Sequence, residues 1–141
     1  MENAVKGPKS WRNVEIEQDV ARGFSEVWIG LFLDDWKPVA KWAWVLHDKD
    51  KTADGADRLP HIHLMVAFKS PVPTEAILAR AKLVSEADPP VTVQQFQKIR
   101  SWASACAYLT HENAPDKFRY PDSDVHANFD VQHESQNAKG V

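Results

Sequence analysis

The residues best able to do chemistry are four histidines, an aspartate and a tyrosine. His61 and His63 flank Ile62 in the run HIHLMVAF (His61–Phe68), an apolar segment rich in strand formers. Alternate side chains of a strand share a face, so the two imidazoles stand on one side. Ile62, Leu64, Val66 and Phe68 then form an apolar face toward packed helices. His47 closes a second strand-like run, VAKWAWVLH (Val39–His47), and Asp48 and Asp50 follow at once. Joined by a polar loop, Asp48–Pro60, with an Asp54-Gly55 turn signal, the two strands are expected to pair antiparallel. That pairing brings His47 and Asp50 to His61 and His63. Three ring nitrogens and a carboxylate suit Mn²⁺, Zn²⁺ or a similar divalent ion. A His-x-His pair alone is more often a chance surface or core pair, and His47-x-x-Asp50 on the neighbouring strand tips the balance toward a metal site.

Tyr108 lies in a helical run read as Ile99–Glu112. There Trp102, Cys106 and Leu109 fall on one core-facing stripe and Tyr108 on another face, above Ser101 and Ser104 and one turn before His111. A phenol flanked by small hydroxyl residues can reach a ligand. It can attack a phosphodiester and leave a phosphotyrosyl bond if a base takes its proton and a cation stabilises the phosphate. In isolation such a tyrosine is usually structural. Other families with similar histidine spellings fail on the residues. Position 65 is Met65, not the third alternating histidine of the histidine-triad hydrolases. Ala67, Phe68 and Lys69 stand where a cupin needs glutamate, and no His-x-Ser/Thr motif of the two-histidine phosphodiesterases occurs.

The remaining elements must position these groups. Ser10–Glu17 reads as a first strand with Trp11, Val14 and Ile16. Phe24–Asp35 reads as a helix capped by Ser25, with Phe24, Val27, Trp28, Leu31 and Leu33 as its apolar residues. Pro71–Ala87 reads as a helix opened by Thr74, with Ile77, Ala81 and Val84 on one face, and Val91–Phe96 as a short strand. The order β-α-β-β-α-β-α predicts an α+β fold, one largely antiparallel sheet with helices on one face. Residues 1–9 are expected to form a flexible arm, 10–130 the domain, and 131–141 a polar tail or linker.

The chain has 141 residues, 43% hydrophobic and 26% charged, which fits one soluble domain. A single cysteine, Cys106, excludes an internal disulfide and fits a reducing cytoplasm, and no apolar run is long enough to cross a bilayer. The net charge of −3 is not that of a non-specific nucleic-acid binder, although a local basic groove can coexist with it. Six tryptophans point to a compact core or an aromatic stacking surface.

LHDKDK (Leu46–Lys51), the HIH of His61–His63 and AYLTHE (Ala107–Glu112) occur in an order and spacing that resemble the HUH endonucleases. Within them the chain is similar to the rolling-circle replication initiators of small plasmids from Gram-positive bacteria, the pMV158-type RepB group. KFRYPDSDVHANFD (Lys117–Asp130) looks like the end of their origin-binding domain, so the resemblance covers about Trp11 to Asp130. It implies a five-stranded antiparallel sheet flanked by helices in a ferredoxin-like arrangement. His47, Asp50, His61 and His63 would bind Mn²⁺ or Mg²⁺, and Tyr108 would be the nucleophile. The implied activity is binding to double-stranded repeats of a plasmid origin and nicking of one strand in an exposed hairpin loop. A 5′-phosphotyrosyl intermediate and a 3′-OH would result, and the reverse reaction would close the displaced strand. Host replication proteins are the implied partners, with no membrane involvement, and a further C-terminal region would bring homo-oligomer formation. Many of these enzymes have lysine one turn after the tyrosine. His111 stands there instead, either for proton transfer or phosphate contact or as a surface residue.

Lys69, Lys82, Lys98, Arg100, Lys117 and Arg119 are the candidate phosphate contacts, each individually better explained as solvated surface charge. Two rivals to the nicking enzyme remain open. One is a non-cleaving, sequence-specific DNA-binding module, a repressor or origin binder with structural histidines. The other is an RNA-binding sheet, which would need stacking aromatics where the central strand has histidines.

Overall fold

In a computed structural model describing residues 8–136, the chain forms a five-stranded antiparallel sheet in the order β4-β1-β3-β2-β5. Its strands are β1 (Ser10–Asp19), β2 (Val39–His47), β3 (His61–Pro73), β4 (Phe96–Lys98) and β5 (His126–Ala127). Four helices accompany them: α1 (Glu26–Leu33), α2 (Thr74–Leu83), α3 (Trp102–Tyr108) and α4 (Val131–Ser135). The α+β architecture is thus as expected from the order of elements. No helix among the described residues is long and apolar enough to cross a membrane.

β3 is the centre of the sheet. Its register sets Asp19 and His47 on either side of His61, and Glu17 and Val45 on either side of His63. The strand continues past Phe68 to Pro73, where Lys69–Pro73 reads poorly as a strand because of its two prolines. The ladders on both sides shift register near this end, between Trp11 and Asn13 and between Val39 and Lys41. Proline, which cannot donate to a ladder, is tolerated at such irregularities. α2 starts at Thr74 and stops at Leu83 instead of running to Ala87. The Thr74 hydroxyl accepts from the Trp11 indole at 2.9 Å and donates to the Pro8 carbonyl at 2.7 Å, while its N–H donates to the Lys9 carbonyl at 2.8 Å. Residues 1–7 of the expected arm lie outside the described residues.

Ile62, Leu64, Val66 and Phe68 pack with Val14, Ile16, Phe24, Trp28, Ile29, Phe32, Ile77 and Ala81 in the larger core. The buried line is Phe24, just before α1, then Trp28 and Phe32 within it, spaced by four, with Ile29, whereas the apolar Val27 and Leu31 of the same helix face solvent. The Ser25 hydroxyl caps the helix by accepting from the Trp28 N–H at 3.2 Å. Helices cover both faces of the sheet, not one. On the second face Ala43, Val45 and Met65 bury against Ile99, Cys106 and Leu109, with Val131 of α4 packed beside them. Val131–Ser135, expected as tail, is therefore a helix. Asp130 caps it at the His133 N–H, Glu134 accepts from the Trp102 indole at 2.8 Å and pairs with Lys41, and Ser135 is buried. Of the strand expected over Val91–Phe96, only Phe96 belongs to β4; before it stands a 3-10 turn (Val93–Gln95) closed by a Thr92/Gln95 capping box.

Candidate metal centre

His47, His61 and His63 come from paired strands, and their ring nitrogens can all lie within 4.8 Å of one another. All three side chains are buried. What each ring does with its second nitrogen fixes which lone pair is free. His47 Nε2 lies 2.7 Å from the Leu109 carbonyl, and His61 Nδ1 lies 2.8 Å from the Leu59 carbonyl. A carbonyl only accepts, so both nitrogens carry the proton and donate. His63 Nδ1 lies 3.0 Å from Glu15 Oε2 and donates to it in the same way. These are the outer bonds that orient metal-ligating imidazoles. They leave His47 Nδ1, His61 Nε2 and His63 Nε2 as acceptors.

His47 Nδ1 and His61 Nε2 are fully buried without a hydrogen-bond partner. Both face Asp50 Oδ2, at 3.3 and 3.2 Å. Two nitrogen lone pairs turned on a carboxylate oxygen repel unless a cation stands between them, and buried polar atoms are seldom left in this state. Separations near 3.2 Å are those of neighbouring ligands on an ion with bonds of about 2.1 Å. The donor set therefore fits a divalent cation. Burial, followed by the nearby His63, lowers the His47 pKa to about 4, and burial likewise lowers that of His61, so both rings are neutral and able to ligate at pH 7. Burial would raise the Asp50 carboxyl, but the Tyr120 hydrogen bond and the surrounding histidines outweigh it and keep it ionised.

The local fold explains how Asp50 reaches the histidines. Its loop folds back on itself through a Lys51–Asp57 bridge, with Gly55 in the left-handed turn that Asp54-Gly55 predicts (φ 88°). The Arg58 N–H donates to the Asp50 carbonyl at 2.9 Å, and the Arg58 side chain pairs with Glu17 on β1.

α3 is shorter than the Ile99–Glu112 run, with Ser101 capping it at the Ser104 N–H. Beyond Tyr108 the chain turns through His111, whose φ is 64°. The His111 N–H donates to the Tyr108 carbonyl at 3.0 Å and the Glu112 N–H to the Ala107 carbonyl at 2.9 Å. This is a Schellman closure with histidine at the left-handed position that glycine usually fills. The turn buries His111 instead of leaving it on the surface: its ring centre is 4.5 Å from that of His47 and 4.9 Å from that of Tyr108, and its Nδ1 donates to the Phe118 carbonyl at 2.8 Å. Tyr108 is half-buried, its ring centre 6.4 Å from that of His63. The four expected ligands, Tyr108 and His111 are thus brought together. Cys106 is buried in the second core with its thiol pushed up to about 12 by burial and then by Glu134.

Three neighbours of the candidate centre escaped the reading of the sequence. Tyr120 is buried, stacks on His47 at 4.4 Å, donates to Asp50 Oδ1 at 2.7 Å and accepts from the Lys49 N–H at 2.8 Å. Nothing local marks it. Glu15 and Glu17 flank His63, with Glu17 at 3.6 Å. Their signal was available, since VEIE alternates and puts both carboxylates opposite the buried Val14 and Ile16.

The sequence profile of the plasmid replication protein origin-binding domain matches residues 6–132. The chain belongs to this family. It is also 28% identical over 134 residues to the replication protein RepB of Lactiplantibacillus plantarum, an alignment covering 89% of this chain and 58% of the relative. The chain thus spans well under two thirds of that relative's length.

Within this origin-binding fold the candidate phosphate contacts divide by position. Lys117 and Arg119 sit in the segment that delivers Tyr120 to the centre, and Lys117 lines a small cavity with Lys49, Asp50 and Lys51. Arg119 is held by Asp122 at 3.6 Å and by the Tyr120 carbonyl at 2.8 Å. Lys69 is on β3 eight positions along from His61, away from the histidine end of the strand, and Lys82 is on α2, over the opposite face. Lys98 and Arg100 are exposed where β4 leads into α3.

Proposed function

We propose that this chain is the nicking and origin-binding domain of a rolling-circle plasmid replication initiator. In this reading it cleaves and rejoins one strand of origin DNA through Tyr108, with a divalent cation, Mn²⁺ or Mg²⁺, held by His47, Asp50, His61 and His63. The observation that carries the reading is the convergence of two orphaned imidazole nitrogens on Asp50 Oδ2 beside a half-buried tyrosine. Family membership supports plasmid origin DNA as the substrate; in this reading that DNA offers double-stranded repeats for binding and a single-stranded hairpin loop for cleavage.

When bound, the cation supplies Lewis-acid stabilisation of the scissile phosphate. The Tyr108 oxygen attacks phosphorus, the bond from phosphorus to the 3′-oxygen breaks, and the 5′ phosphate stays on the tyrosine. The phenolic proton passes to His111, whose Nδ1 is committed to the Phe118 carbonyl and whose Nε2 is therefore the acceptor, and a proton returns to the departing 3′-oxygen. Attack by a 3′-OH on the phosphotyrosine reverses the step and rejoins the strand. Glu15 orients His63, and Tyr120 and Arg58 orient Asp50.

The test is incubation of supercoiled and single-stranded origin DNA with the protein in Mn²⁺ or EDTA, followed by isolation of protein covalently attached to DNA. A Mn²⁺-dependent adduct, lost in Tyr108→Phe while origin binding is retained, is expected. Good origin binding with no adduct would overturn the enzyme and leave the non-cleaving binder.

A further inference from the structure

Phe118 combines exposure with rigidity. It is 43% exposed, yet the backbone around it is tied down. Its carbonyl accepts from His111 Nδ1, and the Tyr120 N–H donates to the Thr110 carbonyl at 3.0 Å. Two residues on, the Tyr120 hydroxyl donates to Asp50. The Phe118 ring stands edge-on to Tyr120 at 4.8 Å, and Tyr120 in turn stacks on His47, so only one ring separates Phe118 from the metal centre. Aliphatic side chains such as Val27, Leu59 and Leu83 are exposed elsewhere, but among the described residues Phe118 is the aromatic one of these, and it adjoins the site. This one holds part of its surface open to solvent in the same rigid segment that builds the site.

Cations frame it. Lys49, Lys51 and Lys117 line the same small cavity as Phe118, with Asp50 and Asp116 as the opposing charges, and Lys49 also makes an exposed pair with Asp48 at 3.5 Å, which a phosphate can replace. Lys49 Nζ is 5.8 Å from the Phe118 ring centre, and its backbone is fixed by the bond to Tyr120. Lys51 is taken up by Asp57. Lys117 is exposed and has no ion-pair partner among the described residues. Exposed aromatic faces interleaved with cations are how proteins hold single strands, the ring stacking a base and the cations meeting phosphates.

We infer that Phe118 is a stacking platform for a base of single-stranded DNA beside the scissile phosphate, with Lys49 and Lys117 on the adjoining phosphates. This deepens the nicking reading and rests on it. A stacked base would fix the strand's register against Tyr108, and because every base has a π-face the subsite would tolerate many sequences.

The test uses an oligothymidylate carrying one 2-aminopurine, titrated in EDTA so that no cleavage intervenes. Phe118→Leu keeps an apolar group against Tyr120 but removes the π-face, and Phe118→Trp restores one. Wild type and Phe118→Trp should quench the 2-aminopurine on binding, whereas Phe118→Leu should bind about 5- to 150-fold more weakly, with little quenching. Lys117→Gln should flatten the salt dependence by about 0.7 in the log–log slope. Quenching and affinity in Phe118→Leu equal to wild type would overturn the subsite, as would a Phe118→Trp variant as weak as the leucine. A Mn²⁺ titration of the same proteins separates this from the parent reading. Normal Mn²⁺ binding and adduct formation without any Phe118 effect would remove the subsite alone, and wild type with neither Mn²⁺ binding nor adduct would remove the nicking reading.

Discussion

On one face of β3, Ile62, Leu64, Val66 and Phe68 are buried among the aromatic residues of α1 and its flanks. On the other, His61 and His63 lead into Met65 and a smaller core. The first face is self-sufficient, because its side chains have apolar neighbours and the Trp11 and Trp28 indoles already donate to Thr74 and Ser85. The second is not. Its imidazoles are aligned by carbonyls and a carboxylate, and two of their nitrogens are left with lone pairs and no proton to meet. One strand with period-two alternation can therefore hold the energy of the fold on one side and an energetically incomplete constellation on the other. The incompleteness is what a bound cation would relieve.

Substitutions on the two faces should behave oppositely. Leu64→Ala should cost about 2–5 kcal/mol in urea unfolding and leave Mn²⁺ affinity within about twofold once the protein is folded. His63→Ala should cost only about 1 kcal/mol without metal but abolish most of the rise in Tm that Mn²⁺ gives wild type. Equal destabilisation by both, with Mn²⁺ stabilisation intact, would erase the distinction.

The metal-free second face should also respond to acid. The folded His47 pKa, about 4, lies below the ordinary 6.5, and that of His61 is lowered too, so the unfolded chain binds more protons between these values. Stability is then fully present above about pH 6.5 and is lost as pH falls toward 4. His47 alone accounts for on the order of 3 kcal/mol, since a pKa unit is worth about 1.4 kcal/mol. Urea midpoints flat from pH 7 to 4.5 would contradict the neutral, buried imidazoles.

A smaller effect tests the turn after α3. His111→Ala and His111→Gly remove the same imidazole, but glycine suits the left-handed φ of 64°. The glycine variant should be about 1 kcal/mol more stable, and both should slow adduct formation. An alanine variant as stable as the glycine would mean that the turn opens without histidine.

The parts of the site legible in the sequence were those carried by short-range order. His61-x-His63 follows from strand alternation, and His47-x-x-Asp50 from a strand end and the pairing of consecutive strands. β2 is found at the predicted bounds for the same reason. Tyr120 was not legible: it is 70 positions from its partner Asp50, and only the folded loop joins them. His111 was misplaced on a continuing helix because nothing in THE, unlike a glycine, announces a left-handed turn. Which side of α1 is buried was not legible, since Val27 and Leu31 are apolar like Trp28 and Phe32, and only packing against the sheet leaves them exposed. Helices on the second face were missed because two histidines masked an otherwise apolar surface of Ala43, Val45 and Met65.

The most direct test is a crystal of the protein soaked in Mn²⁺ and measured for anomalous scattering at the manganese edge. A single strong peak within about 2.3 Å of His47 Nδ1, His61 Nε2, His63 Nε2 and an Asp50 oxygen is predicted. No peak there at saturating Mn²⁺, with the same nitrogens bridged to Asp50 by protons or water, would contradict the account.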